Sequence, residues 1–128
     1  DLYLRKLCKY ILQEYERSFT SGDIIEIFPE TTIDHIMPQT RVGDWKKEID
    51  EDTHEKLVHT WANLMPMSIN ANAGKSNKNW AEVKENLAEE VVFKTTKNVI
   101  LRNNEWNSNS IEKRADELVD WAKSRWPK

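Results

Sequence analysis

Asp34 and His35, in the stretch TTIDHIMPQT (31–40), set a carboxylate beside an imidazole where a β-rich run passes into a loop. A carboxylate can hold a hard cation and a neutral histidine can take a proton from water, so the pair is half of a metal-and-base site. Alone it reads more readily as a solvated turn, because so short a match recurs by chance. The pair gains meaning only with a further oxygen ligand and a group that fixes the loop. Both types stand downstream: Asn63, on the far side of a short helical run, and Asn72, nine residues later, just before the run that contains Trp80. Asn70 competes with Asn72 as the ligand. Neighbouring side chains of an extended segment point to opposite sides. Asp34 and His35 therefore serve one site only if the strand end twists, and Pro38 helps to end the strand there.

The elements that must position these groups are mostly helices. LYLRKLCKYILQEYERSF (2–19) spaces Leu4, Leu7, Ile11, Leu12 and Tyr15 at helical intervals and predicts a helix with one buried face, ended near Gly22. IIEIF (24–28) and TTIDHI (31–36) are short, β-rich and separated by Pro29. DTHEKLVHTWANL (52–64) predicts a short helix capped by Asp52 or Thr53, with Leu57, Val58 and Trp61 inward. MPMSINANAGKSNKN (65–79) is rich in Asn, Gly and Ser that suit turns, and WAEVKENLAEE (80–90) is helical in composition. SNSIEKRADELVDWAKSRW (108–126) predicts a terminal helix capped by Ser108 or Ser110, with Ile111, Ala115, Leu118, Ala122 and Trp126 on its buried face. The fold class expected is mainly α (α+β).

With 128 residues the chain is one domain's worth. An Asp in first place and a helix starting at once are expected of a piece of a longer polypeptide. No apolar run approaches the ~20 residues that span a bilayer, and no signal peptide opens the chain. A soluble, cytoplasmic protein without membrane partners is the expectation. The single cysteine, Cys8, excludes an internal disulfide and a Cys-based zinc site and reads as a buried thiol. A formal net charge of −3 speaks against indiscriminate nucleic-acid binding. The acids gather in 44–55, however, whereas 74–80 and 93–102 carry bases and no acid, which leaves room for a basic face.

IDHIMPQ, then ANL, then NANAGKSN resembles the HNH (ββα-metal) nuclease motif. At longer range the chain resembles the C-terminal domain of GmrSD-type, modification-dependent restriction endonucleases. The closing EWNSNSIEKRADELVDWAKSRW supplies the Trp106, Ile111, Arg114, Leu118, Ala122 and Trp126 of that pattern. Trp80 stands where the family commonly has Phe, with Lys84 near the usual lysine. Ala62 replaces the usual glycine before Asn63, and MPMS departs from the commoner return strand. The resemblance implies a single HNH nuclease domain over 1–128 with a ββα-metal core over 31–84. Asp34 and Asn72 would bind one divalent cation, Mg²⁺ or Mn²⁺, His35 would be the general base, and Asn63 would stabilise the loop that holds it. Two oxygen ligands leave octahedral positions for waters and a phosphate oxygen, as Mg²⁺ prefers.

The activity implied is metal-dependent hydrolysis of DNA phosphodiester bonds in a restriction or phage-defence system. In the resembling family an N-terminal ParB-like nucleotide-hydrolysing domain controls cleavage, and recognition of modified DNA would be a property of the whole protein. A double-strand break needs a homo-oligomer or two visits. The alternatives are a catalytically inactive nucleic-acid-binding module with the same fold and a purely structural domain. His54 and His59 read as surface or half-buried structural residues, Asn77 as a loop-ordering or turn residue, and Lys75, Lys78 and Lys84 as phosphate contacts or solvated lysines in equal measure. Trp106, Trp121 and Trp126 are expected in the core, with Trp80 packing the site helix onto the domain.

Overall fold

The computed structural model describes residues 2–19, 31–68, 79–87 and 93–127, and for 2–5, 31, 68, 86 and 87 the backbone alone. The helices are α1 (Leu2–Arg17), α2 (Trp45–Glu48), α3 (Glu51–Leu57), α4 (Trp80–Leu87), α5 (Lys94–Arg102) and α6 (Ser108–Arg125). The strands β1 (Thr31–His35) and β2 (Leu64–Ser68) form one antiparallel pair, with a 3-10 turn, Trp61–Asn63, leading into β2. The fold is thus mainly α with a small sheet, as the residue patterns predict. No described helix is long and apolar enough to cross a membrane. Residues 24–28, with the strand-like run IIEIF, lie outside the described residues.

Asp34 pairs with Met65, His35 with Leu64 and Ile33 with Pro66. Proline has no N–H for a ladder and survives in a strand only where that position faces away from the partner. The Pro66 carbonyl faces the same way, and the Thr96 hydroxyl of α5 donates to it at 2.5 Å. Two residues earlier on that edge, the Leu64 carbonyl accepts from Arg114 Nη1 of α6 at 2.6 Å. Two helices thereby satisfy the edge of β2 that β1 leaves bare.

The core gathers Leu12, Ile36, Met37, Trp45, Met65, Met67, Val83, Trp106, Ile111 and Leu118, all buried. Gly43, at φ 56°, lets the chain turn into α2 in a conformation that costs a residue with Cβ. Trp45 follows and is buried. Trp80 packs against Trp106, with ring centroids 5.5 Å apart, and its indole N–H donates to the Asn103 carbonyl, so α4 is fastened to the domain.

Several local expectations need correction. Leu7 is 41% exposed. Glu16, on the same helix, is fully buried instead, its carboxylate taken up by the first N–H groups of α5. Cys8 is half-buried, and burial pushes its thiol pKa up. The cap of α3 is Asp50 rather than Asp52 or Thr53, and its carboxylate accepts from Thr53 N–H at 2.8 Å. Asn107 caps α6, with Ser110 as the reciprocal member of the capping box. Trp126 stands beyond the end of α6, 41% exposed, because the chain leaves the helical path there. Trp121 is half-buried, edge-on to Tyr15 at 5.1 Å.

Candidate active site

His35 is the last residue of β1, and the loop that follows is tied down at every step. Ile36 N–H donates to the Asn63 carbonyl at 2.8 Å, which extends the sheet ladder by one bond. Met37 N–H donates to Asn63 Oδ1 at 2.9 Å, and Asn63 Nδ2 donates to the Met37 carbonyl at 3.0 Å. The Pro38 carbonyl accepts from His54 Nε2 of α3 at 2.9 Å. A carbonyl only accepts, so His54 carries a proton on Nε2 and serves as a buried strut. This is the structural role that its position on a helix face suggests.

Asn63 is 0% exposed and saturated. Beyond its two bonds to Met37, Nδ2 donates to the Val58 carbonyl at 2.9 Å and Oδ1 accepts from the Trp106 indole N–H at 2.9 Å. It cannot touch a substrate. Its amide joins the segment after His35 to the segment before His59, and Trp106 of the C-terminal part holds it in turn. Arg114 completes the frame from the other side. Its Nη1 donates to the Ala62 carbonyl at 2.8 Å and to that of Leu64, so both peptide neighbours of Asn63 are anchored. Burial lowers the Arg114 pKa to about 10. Its Nη2 is buried without a hydrogen-bond partner among the described residues.

At the working end, His35 Nε2 lies 3.1 Å from His59 Nδ1, with the ring planes at 76°. The other ring nitrogen, Nδ1, lies 3.3 Å from Gln39 Nε2. His35 and Asp34 are half-buried, while His59 and Gln39 are exposed, so the imidazole is reachable from solvent although its backbone is fixed. In the ladder Asp34 and His35 project to opposite faces, with His35 at the strand's last position.

The structure therefore brings Asp34, His35 and Asn63 to one end of the small sheet. Lys84 is half-buried on α4. Asn72, its competitor Asn70, Asn77, Lys75 and Lys78 lie outside the described residues. Residue patterns missed His59 as a member of the site. A signal was available: it stands four residues before Asn63, on the approach to the same return strand. The N-terminus of α4 is capped reciprocally, Asn79 accepting from Glu82 N–H at 2.9 Å and Glu82 from Asn79 N–H. Asn79 Nδ2 also donates to Asp44, just before α2, at 3.1 Å.

No curated protein and no solved structure matches the chain. Residues 2–121 match the model of the C-terminal domain of GmrSD restriction endonucleases. That match takes in α1, the sheet with His35 and Asn63, and most of α6, and the chain belongs to this family of restriction-endonuclease nuclease domains.

Proposed function

We propose that this chain is a metal-dependent HNH-type endonuclease domain that hydrolyses DNA phosphodiester bonds, with residues 31–84 as its ββα-metal core. The observation that carries the reading is His35. A solvent-reachable imidazole stands beside an acid at the end of an antiparallel pair, on a main chain held almost without freedom by the buried Asn63 amide. Such rigidity is what a base needs if it is to meet a water in line with a phosphorus atom.

The donor chemistry suits a hard cation. Among the described residues no group of three or more His, Cys, Asp or Glu gathers that could hold a metal by itself. Mg²⁺ does not require one, since it keeps several waters and takes one or two protein oxygens. Asp34 and Asn72 would hold it. Bound there, Mg²⁺ or Mn²⁺ would supply stabilisation of the charge on the phosphorane and on the leaving 3′ oxygen.

The residues of the chain do the rest. His35, neutral, takes a proton from a water; the water oxygen bonds to phosphorus; the bond from phosphorus to the 3′ oxygen breaks. A 5′-phosphate is left, and the 3′ oxygen takes a proton from solvent water to become a hydroxyl. Asn63 keeps His35 in place, and Lys75, Lys78 and Lys84 meet neighbouring phosphates. In the full-length protein a ParB-like nucleotide-hydrolysing domain would govern cleavage of modified DNA in defence against phage.

The test is nicking of supercoiled plasmid with Mg²⁺ or Mn²⁺. The expected result is cutting by the chain and its loss in His35→Ala, in Asn72→Ala and in EDTA, with unchanged circular dichroism. DNA binding without cutting in the unmodified chain, or full activity in His35→Ala, sinks the proposal.

A further inference from the structure

His59 has no role in the chemistry above, yet it covers one of the two nitrogens of the base. Both ring nitrogens of His35 are engaged, so the tautomer of His35 is decided by its partners. An amide NH₂ donates only. With the Gln39 nitrogen 3.3 Å from Nδ1, that nitrogen is a bare lone pair, the ring proton is on Nε2, and His59 Nδ1 must accept it. Heavy-atom positions also admit the reverse set, with the Gln39 amide turned over. That set puts the proton on Nδ1 in both rings, the less favoured tautomer of a free imidazole, twice. The first arrangement uses the favoured tautomer in both.

With Nε2 of His35 turned to His59, the nitrogen left to face a water is Nδ1. Gln39, the partner of that nitrogen, is an exposed side chain. The placement of His59 is built in. Asn63 Nδ2 donates both to Met37, two residues after His35, and to Val58, one residue before His59. On the same side, the Thr60 hydroxyl donates to the Leu57 carbonyl at 2.8 Å. One buried amide thus sets the spacing of the two imidazoles.

We propose that His59 is a positioning residue for the base: its Nδ1 accepts the Nε2–H of His35, holds the ring plane and keeps the Nδ1 lone pair of His35 towards the water. This rests on the nuclease reading for its purpose but not for its geometry. It parallels the carboxylate or carbonyl that orients a working histidine in other sites.

The experiment joins plasmid nicking by the full chain to long-range ¹H–¹⁵N spectra of its imidazoles. The variants are His59→Ala, which removes the acceptor, and His59→Asn, whose Oδ1 falls near the place of Nδ1. In the unmodified chain His35 should show a protonated Nε2 and a bare Nδ1, and in His59→Ala a mixture of tautomers. In His59→Ala kcat should fall about 10- to 100-fold with KM within about twofold, the size usual for loss of such an outer partner. His59→Asn should recover most of the loss. A proton on Nδ1 of His35 in the unmodified chain overturns the proposal, as does a His59→Ala protein with unchanged spectrum and cutting. If the unmodified chain does not cut at all, the nuclease reading fails, and the tautomer spectrum still decides the contact.

Discussion

The side-chain amide of Asn63 closes on both main-chain polar groups of Met37, taking its N–H at 2.9 Å and giving to its carbonyl at 3.0 Å. A backbone residue held at both ends cannot rotate about its own dihedrals without breaking a buried bond. The cost of such a break is the full desolvation of each group left bare. Asn63→Ala strands the Met37 N–H and carbonyl, the Val58 carbonyl and the Trp106 indole N–H together. We expect it to lower stability by roughly 3–5 kcal/mol in urea unfolding, at the upper end for single substitutions. Asn63→Asp should be almost as harmful, because a carboxylate cannot donate to the two carbonyls and buries a charge. Trp106→Phe, which removes one donor, should cost about 1–2 kcal/mol.

Glu16 illustrates a cap supplied from a distance. Helix α5 begins after Phe93, which has no side-chain oxygen to take the first free N–H groups. The Glu16 carboxylate takes them instead, Oε2 from Lys94 N–H at 2.8 Å and Oε1 from Thr95 N–H at 2.9 Å and the Thr95 hydroxyl at 2.7 Å. A negative charge at a helix N-terminus is favourable as well. Glu16→Gln turns one acceptor into a donor facing N–H groups and should lower thermal stability by the equivalent of roughly 1–3 kcal/mol. Glu16→Asp is too short to reach both peptides and should fall between the two proteins. A Glu16→Gln protein that melts with the unmodified chain would show the cap to be idle.

These two residues also mark how far the sequence can be read. The end helices are legible because their apolar residues recur at the helical period, and β1 because TTIDH is β-branched and closes before a proline. Helix α5 is not, since KTTKNVILR has two β-branched threonines in its first turn and draws its cap from Glu16, 78 positions earlier. The Asp34–His35 pair and Asn63 are legible as residue types at a spacing, which is all that a pattern stores. The meeting of His35 with His59 is not, because it depends on how the intervening loop closes, and that closure is set by Asn63, His54 and Arg114 together. The ligand role of Asn72 rests on spacing and family resemblance, as it lies outside the described residues.

Asp50 makes a prediction about acid. Its hydrogen bond from Thr53 N–H, and then from the Thr53 side chain, holds its carboxyl below the ordinary Asp value. The unfolded chain therefore takes up the proton first. The contribution of the cap is fully present above the ordinary carboxylate value and is lost as pH falls through the lowered one. Comparing urea unfolding of Asp50→Ala with the unmodified chain across this range should show a constant gap near neutral pH that narrows in acid. A gap that widens in acid, or that does not depend on pH, would falsify the assignment of the cap to the ionised carboxylate.

Arg114 is a charge whose burial opposes folding. Burial lowers its pKa to about 10, so the unfolded chain holds the proton more tightly and the buried charge costs stability at every pH below that value. What offsets the cost is the work of Nη1, which serves the Ala62 and Leu64 carbonyls on either side of Asn63. Arg114→Met removes the charge and its desolvation together but leaves both carbonyls without a donor. If the carbonyl bonds outweigh the desolvation, the variant loses roughly 1–3 kcal/mol. The Ile36 amide, which donates to the carbonyl of Asn63 itself, should then exchange its hydrogen faster. Arg114→Lys, with one compact ammonium for two carbonyls, should recover only part of the loss. Greater stability in Arg114→Met, with slow exchange at Ile36, would mean that the turn at Asn63 stands without its arginine and that the buried charge serves some other end.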